Sequence, residues 1–415
     1  MFELIQFPSL IEGHNQELRE VAQDLLHGLK LYEKRRAYIL GHLALSEGVA
    51  PHKNINASPA DLEYQLLMKA SLLLASETAG KNRLAVTTGF SNSTYALYRD
   101  QAIDVVQKDH IIEYDSATFS AGSRRNSPVQ VEQVWVMPEI QGCVLGLREG
   151  ETQAKGNFFV VSLGFGTCEA IMSTPSGTVQ RTSVAANGLR YAVNSLMHEL
   201  GKQYYLELQN EHQIDQAFQK GFLFSKRKRI DLVEAREKAL QAYYQDVVSP
   251  ALQRAFQDAD FQRAERLYLV GGGTHYAELV QCFKQEFRDI VEVLVPSNAA
   301  SMAVTGYFLH SSQQSRLGCT PVGLDMGNAI TQVAVPQGQH GSKRLANDTH
   351  IQDVADVSDA LHAGALSASE KWKLGALKVA DALTPNTLEQ EALALPLKNT
   401  QRHERLGHFL KTGLW

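Results

Sequence analysis

Three glycine-rich turns, each set directly after or within a short apolar run, constrain this chain more than any other feature. Ser162-Leu163-Gly164-Phe165-Gly166-Thr167 follows Phe158-Phe159-Val160-Val161, and Gly271-Gly272-Gly273-Thr274 follows Leu267-Tyr268-Leu269-Val270. The third, Gly323-Leu324-Asp325-Met326-Gly327-Asn328-Ala329-Ile330-Thr331, lies between the apolar segments Pro321–Leu324 and Ile330–Val335. Runs that are apolar on both sides suit central strands covered on both faces. Glycine lets a backbone approach a phosphate closely, and successive amides with a hydroxyl can hold its oxygens. An Asp at a strand end can hold Mg²⁺ through the waters that the ion keeps. One such turn alone is more often ordinary turn chemistry. The set of three carries the weight.

The length of 415 residues is enough for two or three domains. Hydrophobic residues at 44% and charged residues at 20% give a globular composition rather than a disordered one. A net charge of -5 excludes a global basic field that would gather nucleic acid. No apolar stretch reaches the ~18 residues of a membrane span, and the first twenty residues lack the features of a signal peptide. Cys143, Cys168, Cys282 and Cys319 are widely spaced, which argues against a zinc site or disulfide framework and fits a reducing cytoplasm. The histidines show no ligand spacing.

Along the chain, Phe2–Ile11 reads as a strand broken by Pro8, followed by a charged helical pattern from about Asn15 to Arg36 and a strand at Ala37–Leu40. Leu62, Leu66, Leu67, Ala70, Leu73 and Leu74 repeat at helical spacing within Pro59–Thr78. Asn82–Thr88 and Val129–Met137 favour strands, and residues 185–258 read as mainly helical. A helix through Ala277 and Phe287, a strand at Val291–Val295 and a helix at Ala299–Leu309 follow. Pro321–Leu324 and Ile330–Val335 form a hairpin late in the chain. Beyond Pro336 helical segments alternate with turn-rich linkers, so that region reads as a helical appendage.

Taken together, the three turns resemble those of the actin/Hsp70/sugar-kinase ATPase superfamily, and among its branches the chain looks most like the ParM-type plasmid-segregation actins. Val134-Trp135-Val136-Met137-Pro138-Glu139 resembles the strand that precedes the second phosphate loop in that group, and Phe7-Pro8-Ser9-Leu10-Ile11 the segment that follows the first phosphate hairpin. Ala185-Ala186-Asn187-Gly188 stands in the place of a glycine turn of the second half. The resemblance covers about residues 1–336, but the order differs: the hairpin that opens the chain in the family lies here at 322–335. Moving it from front to back reproduces this sequence, so the resemblance implies a circular permutation, which close chain termini make physically tolerable. The N-terminal strand Phe2–Ile11 should then pair beside Ile330–Val335 without a covalent link.

The implied fold is α/β: two RNase H-like domains flanking a nucleotide cleft, circularly permuted, with a helical C-terminal appendage. Residues 1–155 would form domain I without its first hairpin, 156–298 domain II, 299–336 the returning helix and displaced hairpin of domain I, and 337–415 the extension. ATP or ADP with Mg²⁺ would occupy the cleft. By the resemblance, Asp325 would hold the hydrated metal and share the catalytic role with Glu139, which would orient or deprotonate the attacking water. Gly327, Asn328 and Thr331 would bracket the terminal phosphates from one side, and Ser162, Gly164, Gly166 and Thr167 from the other, with Gly188 in the adjoining turn. Gly271, Gly272, Gly273 and Thr274 would pass the adenosine. Ser162 replaces the Asp that usually begins the second phosphate loop, so metal binding or hydrolysis is expected to be weaker, while Glu169 stands where a further acidic residue is usual.

The function that follows is a cytoplasmic ATPase that assembles with itself into filaments and positions DNA or other cargo through a DNA-bound adaptor. The alternative is a non-filamentous nucleotide-binding scaffold or switch with very slow turnover. A small-molecule kinase lacks a recognisable substrate Asp. The cluster Lys226-Arg227-Lys228-Arg229 reads as the solvated edge of a helix, with Glu234 and Lys238 at i,i+4 spacing nearby, so direct nucleic-acid binding is not expected.

Overall fold

Two β-sheets carry the chain, and both are assembled from segments far apart in sequence. A computed structural model describes residues 2–52, 55–204, 211–225 and 227–337, all within one unit. The larger sheet has nine strands in the order Phe2–Pro8, Ile330–Pro336, Thr320–Met326, Arg83–Phe90, Arg124–Pro138, Asp109–Asp115, Lys30–Glu33, Arg36–Leu40 and Ile11–Gly13. The smaller has five: Gly177–Asn187, Thr167–Thr174, Phe158–Leu163, Arg266–Val270 and Glu292–Leu294.

The two ends of the described chain are neighbours. Phe2 pairs with Pro336 and Pro8 with Ile330 in an antiparallel ladder, and the hairpin Thr320–Pro336 then pairs in parallel with Arg83–Phe90. The strand order thus places a hairpin from the end of the described chain between an N-terminal strand and the sheet centre, as the permuted reading requires.

Burial follows the apolar runs. Every residue of Phe158–Leu163 is buried, since this strand is covered on both faces. One face lies against Val193 and Leu196 of the helix Arg190–Tyr204, Leu240 and Tyr243 of Val233–Tyr243, and Leu279 and Phe283 of Ala277–Glu286. The other faces the larger sheet across two helices, Glu139–Glu149 and Met302–Gln314. Ile140, Cys143 and Leu147 of the first share a core with Met302, Ala303 and Tyr307 of the second and with Phe158, Val160 and Tyr268 of the smaller sheet. These two helices cross at a glycine contact: a Cβ on Gly306 would run into the carbonyl oxygen of Gly142. Helix Leu62–Ala79 covers the opposite face of the larger sheet; it is apolar nearly all round, as a helix buried among loops and strands must be.

Two sequence expectations are corrected. Asn15–Arg36 is not a helix: the amides of Glu20 and Ala22 bond to the carbonyls of Ala117 and Thr118, at 2.7 and 2.9 Å, and Lys30–Glu33 joins the sheet. Tertiary pairing overrides local propensity there. Residues 185–258 are mainly helical, as read, but the strand Gly177–Asn187 ends within them and Phe222–Ser225 pairs with Lys228–Asp231. Arg227, Lys228 and Arg229 therefore lie on a two-stranded ribbon and not on a helix edge, while Glu234 and Lys238 do form their helical ion pair, at 2.7 Å. The appendage of 337–415 lies outside the described residues apart from its first position. Among the described residues no helix is long and apolar enough to cross a membrane.

Candidate functional site: a cleft between two hairpins

The two glycine-bearing hairpins meet tip to tip. In one, Asp325 pairs with Gln332 and Met326 with Thr331, leaving Gly327, Asn328 and Ala329 as the turn. In the other, Ser162 pairs with Glu169 and Leu163 with Cys168, and the turn closes with the amide of Gly164 donating to the carbonyl of Thr167 at 2.9 Å. At the junction, the amide of Asn56 donates to Asn328 Oδ1 at 2.7 Å, and Asn328 Nδ2 donates to Asn56 Oδ1 at 3.0 Å. A Cβ on Gly166 would collide with the Asn328 side chain, so only glycine lets the tips approach this closely.

Between the hairpins runs a cleft walled by Gly164, Gly166 and Thr167 on one side and by Asp325, Gly327 and Asn328 on the other. Glu139 and Gly89 also line it, as do Phe90, Ser91, Thr94 and Tyr98. Ser9, just past the first strand, donates from Oγ to the carbonyl of Gly327 at 2.6 Å and lies 2.9 Å from Thr331 Oγ1. The chain start thereby fixes the displaced hairpin where a covalent loop would otherwise do so.

Two carboxylates, Asp325 and Glu139, line this cleft, and a third, Glu169, is buried behind it. Asp325 lies near the end of its strand, and burial, with the charge of Glu139, pushes its pKa up to about 8. Glu139 is the first residue of its helix, after Pro138; burial raises its pKa too, opposed by a hydrogen bond donated from Ser162 Oγ at 3.2 Å. Glu169, on the strand opposite Ser162, is raised to about 8 by burial and by Glu139. Three such groups cannot all be ionised in a dry cleft without a counter-charge. The arrangement is suited to receiving a cation together with a ligand that brings oxygens of its own.

The expected site residues divide into two sets. Glu139, Asp325, Gly164, Gly166, Thr167, Gly327 and Asn328 line the one cleft. Thr331 and Ser162 are buried behind it, in contact with Ser9 and Glu139. Gly188 supports the tip from below, its amide bonding to the carbonyl of Gly166 at 3.1 Å. Gly271, at φ +85°, turns the chain against the backbone of Leu163, and Gly273 packs on the same residue. Thr274 donates its hydroxyl back to the carbonyl of Gly271 at 2.8 Å, and Gly272 faces open space. Sequence reasoning missed Ser9 as a hydrogen-bonding brace, Asn56 at the tips, and the wall Gly89–Tyr98. Of these only Gly89-Phe90-Ser91 carried a signal, as a strand ending in glycine before a helix.

No protein-family model matches the sequence, and no curated protein matches it. Solved structures do. A non-polymerisable quadruple mutant of pCBH ParM aligns with a TM-score of 0.59 at 17% identity, covering 74% of this chain and 92% of its own. A 15-stranded ParM filament from Clostridium botulinum aligns at 0.56 and 16% identity, with 74% and 92% covered. An archaeal actin homologue in complex with ADP aligns at 0.52 and 14% identity, with 69% and 89% covered. At such identities the likeness establishes the fold: this chain has the actin-like fold.

Proposed function

We propose that this chain binds ATP and ADP with Mg²⁺ between its two hairpins and couples that binding to assembly with further copies of itself. The observation that carries the reading is the facing pair of tips, Gly164–Thr167 and Asp325–Asn328, with Glu139 beneath them in the same cleft. Backbone amides at glycine turns hold phosphate oxygens by charge and close approach, and need no particular side chain. The halves would be residues 1–155 with 299–336, and residues 156–298.

Asp325 fits the role of metal partner. It is half-buried in the cleft wall, its charge is disfavoured in the free protein, and a cation beside it would reverse that balance. No group of three or more acidic, His or Cys side chains among the described residues forms a metal cage of its own. That suits Mg²⁺, which keeps waters and takes few carboxylates alongside phosphate oxygens. Bound there, the ion would neutralise charge that develops on the phosphates. Glu139 would direct a water towards the terminal phosphate, its carboxylate held by Ser162.

Assembly into filaments, and segregation of DNA or other cargo through an adaptor in the cytoplasm, extend the reading by analogy with the ParM structures of the same fold. Closure of the cleft on nucleotide would favour contact between copies only to the extent that nucleotide prefers the closed form. One observation favours slow turnover: Ser162 engages Glu139 with a neutral hydroxyl where a further carboxylate would hold metal-bound water. A nucleotide-dependent switch that hydrolyses slowly is the second reading.

Phosphate release from Mg²⁺-ATP, measured against protein concentration, separates them. A sharp rise above a threshold concentration supports turnover coupled to assembly. A near-zero rate with ATP still bound supports the switch, and absence of ATP binding rejects both.

A further inference from the structure

Glu169 lies on the second strand of the phosphate-facing hairpin, opposite Ser162, yet it does not line the cleft. Its Oε1 accepts the amide of Asn92 at 2.5 Å, and the amide of Ile140 also lowers its pKa against the effect of burial. Oε2 is buried and completes no hydrogen bond. Asn92 and Ile140 are the first and second residues of two separate helices, Asn92–Val106 and Glu139–Glu149, that follow strands of the other sheet. One carboxylate from the smaller sheet thus stands at the N-terminal ends of two helices belonging to the larger, where unpaired amides and the helix dipoles favour negative charge. The Asn92 side chain reinforces the junction, donating to Ser183 Oγ at 3.1 Å.

The residues next to these two amides line the cleft: Ser91 before Asn92, and Glu139 before Ile140. We propose that Glu169 is a positioning residue that bonds the hairpin Phe158–Thr174 to the start of Asn92–Val106 while standing beside the start of Glu139–Glu149, and so fixes the wall Gly89–Ser91 and Glu139 relative to the phosphate held at the hairpin tip. This rests on the ATP-binding reading above. Chain length and charge both matter to the role. Asp, one methylene shorter, draws the carboxyl back from the Asn92 amide. Gln offers one acceptor oxygen and turns an amide donor towards a second donor.

The test pairs E169Q with E169D and reads two quantities in the full chain. Hydrogen exchange at the Asn92 and Ile140 amides reports the tie itself, with or without nucleotide. It is expected to quicken by roughly tenfold in E169Q, since the Gln amide brings a donor against the backbone donors that the carboxyl accepts or faces. Turnover reports positioning: kcat is expected to fall roughly tenfold or more while KM for ATP stays nearly unchanged, with E169D between E169Q and the wild type. Unchanged exchange at both amides in E169Q overturns the proposal, as does wild-type kcat with a raised KM. Should E169Q not fold, E169D is judged by the same readings. A wild-type protein that binds no ATP would sink the functional reading, and the exchange measurement would still decide whether Glu169 ties the helices.

Discussion

Ser162, near the end of a strand of the smaller sheet, and Glu139, which opens a helix that follows a strand of the larger sheet, are joined by a single hydrogen bond of 3.2 Å. The hydroxyl donates and the carboxylate accepts. With Asp325 and Glu169 nearby and both held towards their protonated forms, a fourth acid at position 162 would meet strong repulsion. A serine gives the site a donor in place of a charge. It steadies the ionised form of Glu139 where an aspartate would oppose it.

S162A tests that role. Removing the donor leaves burial alone acting on Glu139, so its pKa rises further. If Glu139 works as an ionised base, the rising limb of the pH–rate profile should move to higher pH, as loss of a hydrogen bond to the charged form implies. Phosphate release measured from pH 6 to 9 gives the answer. An equal fall at every pH would mean that Ser162 serves the structure and not the titration of Glu139.

N328A probes the tip junction. Asn328 exchanges two hydrogen bonds with Asn56, at 2.7 and 3.0 Å, which hold its side chain against Gly166 of the facing hairpin. Losing both should loosen closure and speed release of a fluorescent ATP analogue by roughly tenfold, about the 1–2 kcal/mol that two such bonds contribute. Stopped-flow dissociation measures it. Unaltered release would place the Asn328–Asn56 contact outside nucleotide retention.

G306A and G142A address the crossing of the two inner helices. Gly306 lies against the backbone of Gly142, and Gly142 against the ring of Tyr307, with no room for a methyl group at either. Overpacking of this kind costs roughly 1–3 kcal/mol, and more where backbone must move. Urea midpoints should fall in both variants. The double variant should lose less than the sum, because both methyls strain one contact.

Much of this was legible in the sequence, and the failures have identifiable causes. Phe158–Val161 and Leu267–Val270 announced buried strands because strands covered on both faces are apolar throughout. The Asp325 hairpin announced itself through its turn residues. The Gly142–Gly306 crossing did not, because no local pattern marks which helices will touch. Asn15–Arg36 misled because its charged helical pattern competes with backbone bonds to Ala117 and Thr118, residues about a hundred positions away. The ribbon of Arg227–Arg229 was hidden because a charge run reports solvation, and solvated edges occur on strands as well as helices. Asn56 and Ser9 carried no motif; their roles exist only once the displaced hairpin has docked against the start of the chain.

The final prediction concerns the free protein. Asp325 has a folded pKa of about 8, while in an unfolded chain a carboxyl of this type titrates near 4. Between those values the unfolded chain releases the proton and the folded one keeps it. The unfolded state binds fewer protons, so stability declines as pH rises from about 4 to about 8, then levels off. D325N removes this titration. Without ligand it should therefore melt above the wild type at pH 8, and the gap should narrow towards pH 5. Glu169 is raised in the same direction, so a weaker slope should remain in D325N. Melting curves of both proteins from pH 5 to 9 decide the matter. A wild type that melts higher at pH 8 would show that Asp325 is already ionised and paired in the closed cleft. The expected order would show instead that the cleft holds its acid uncharged until a cation arrives, at a standing cost in stability to the free protein.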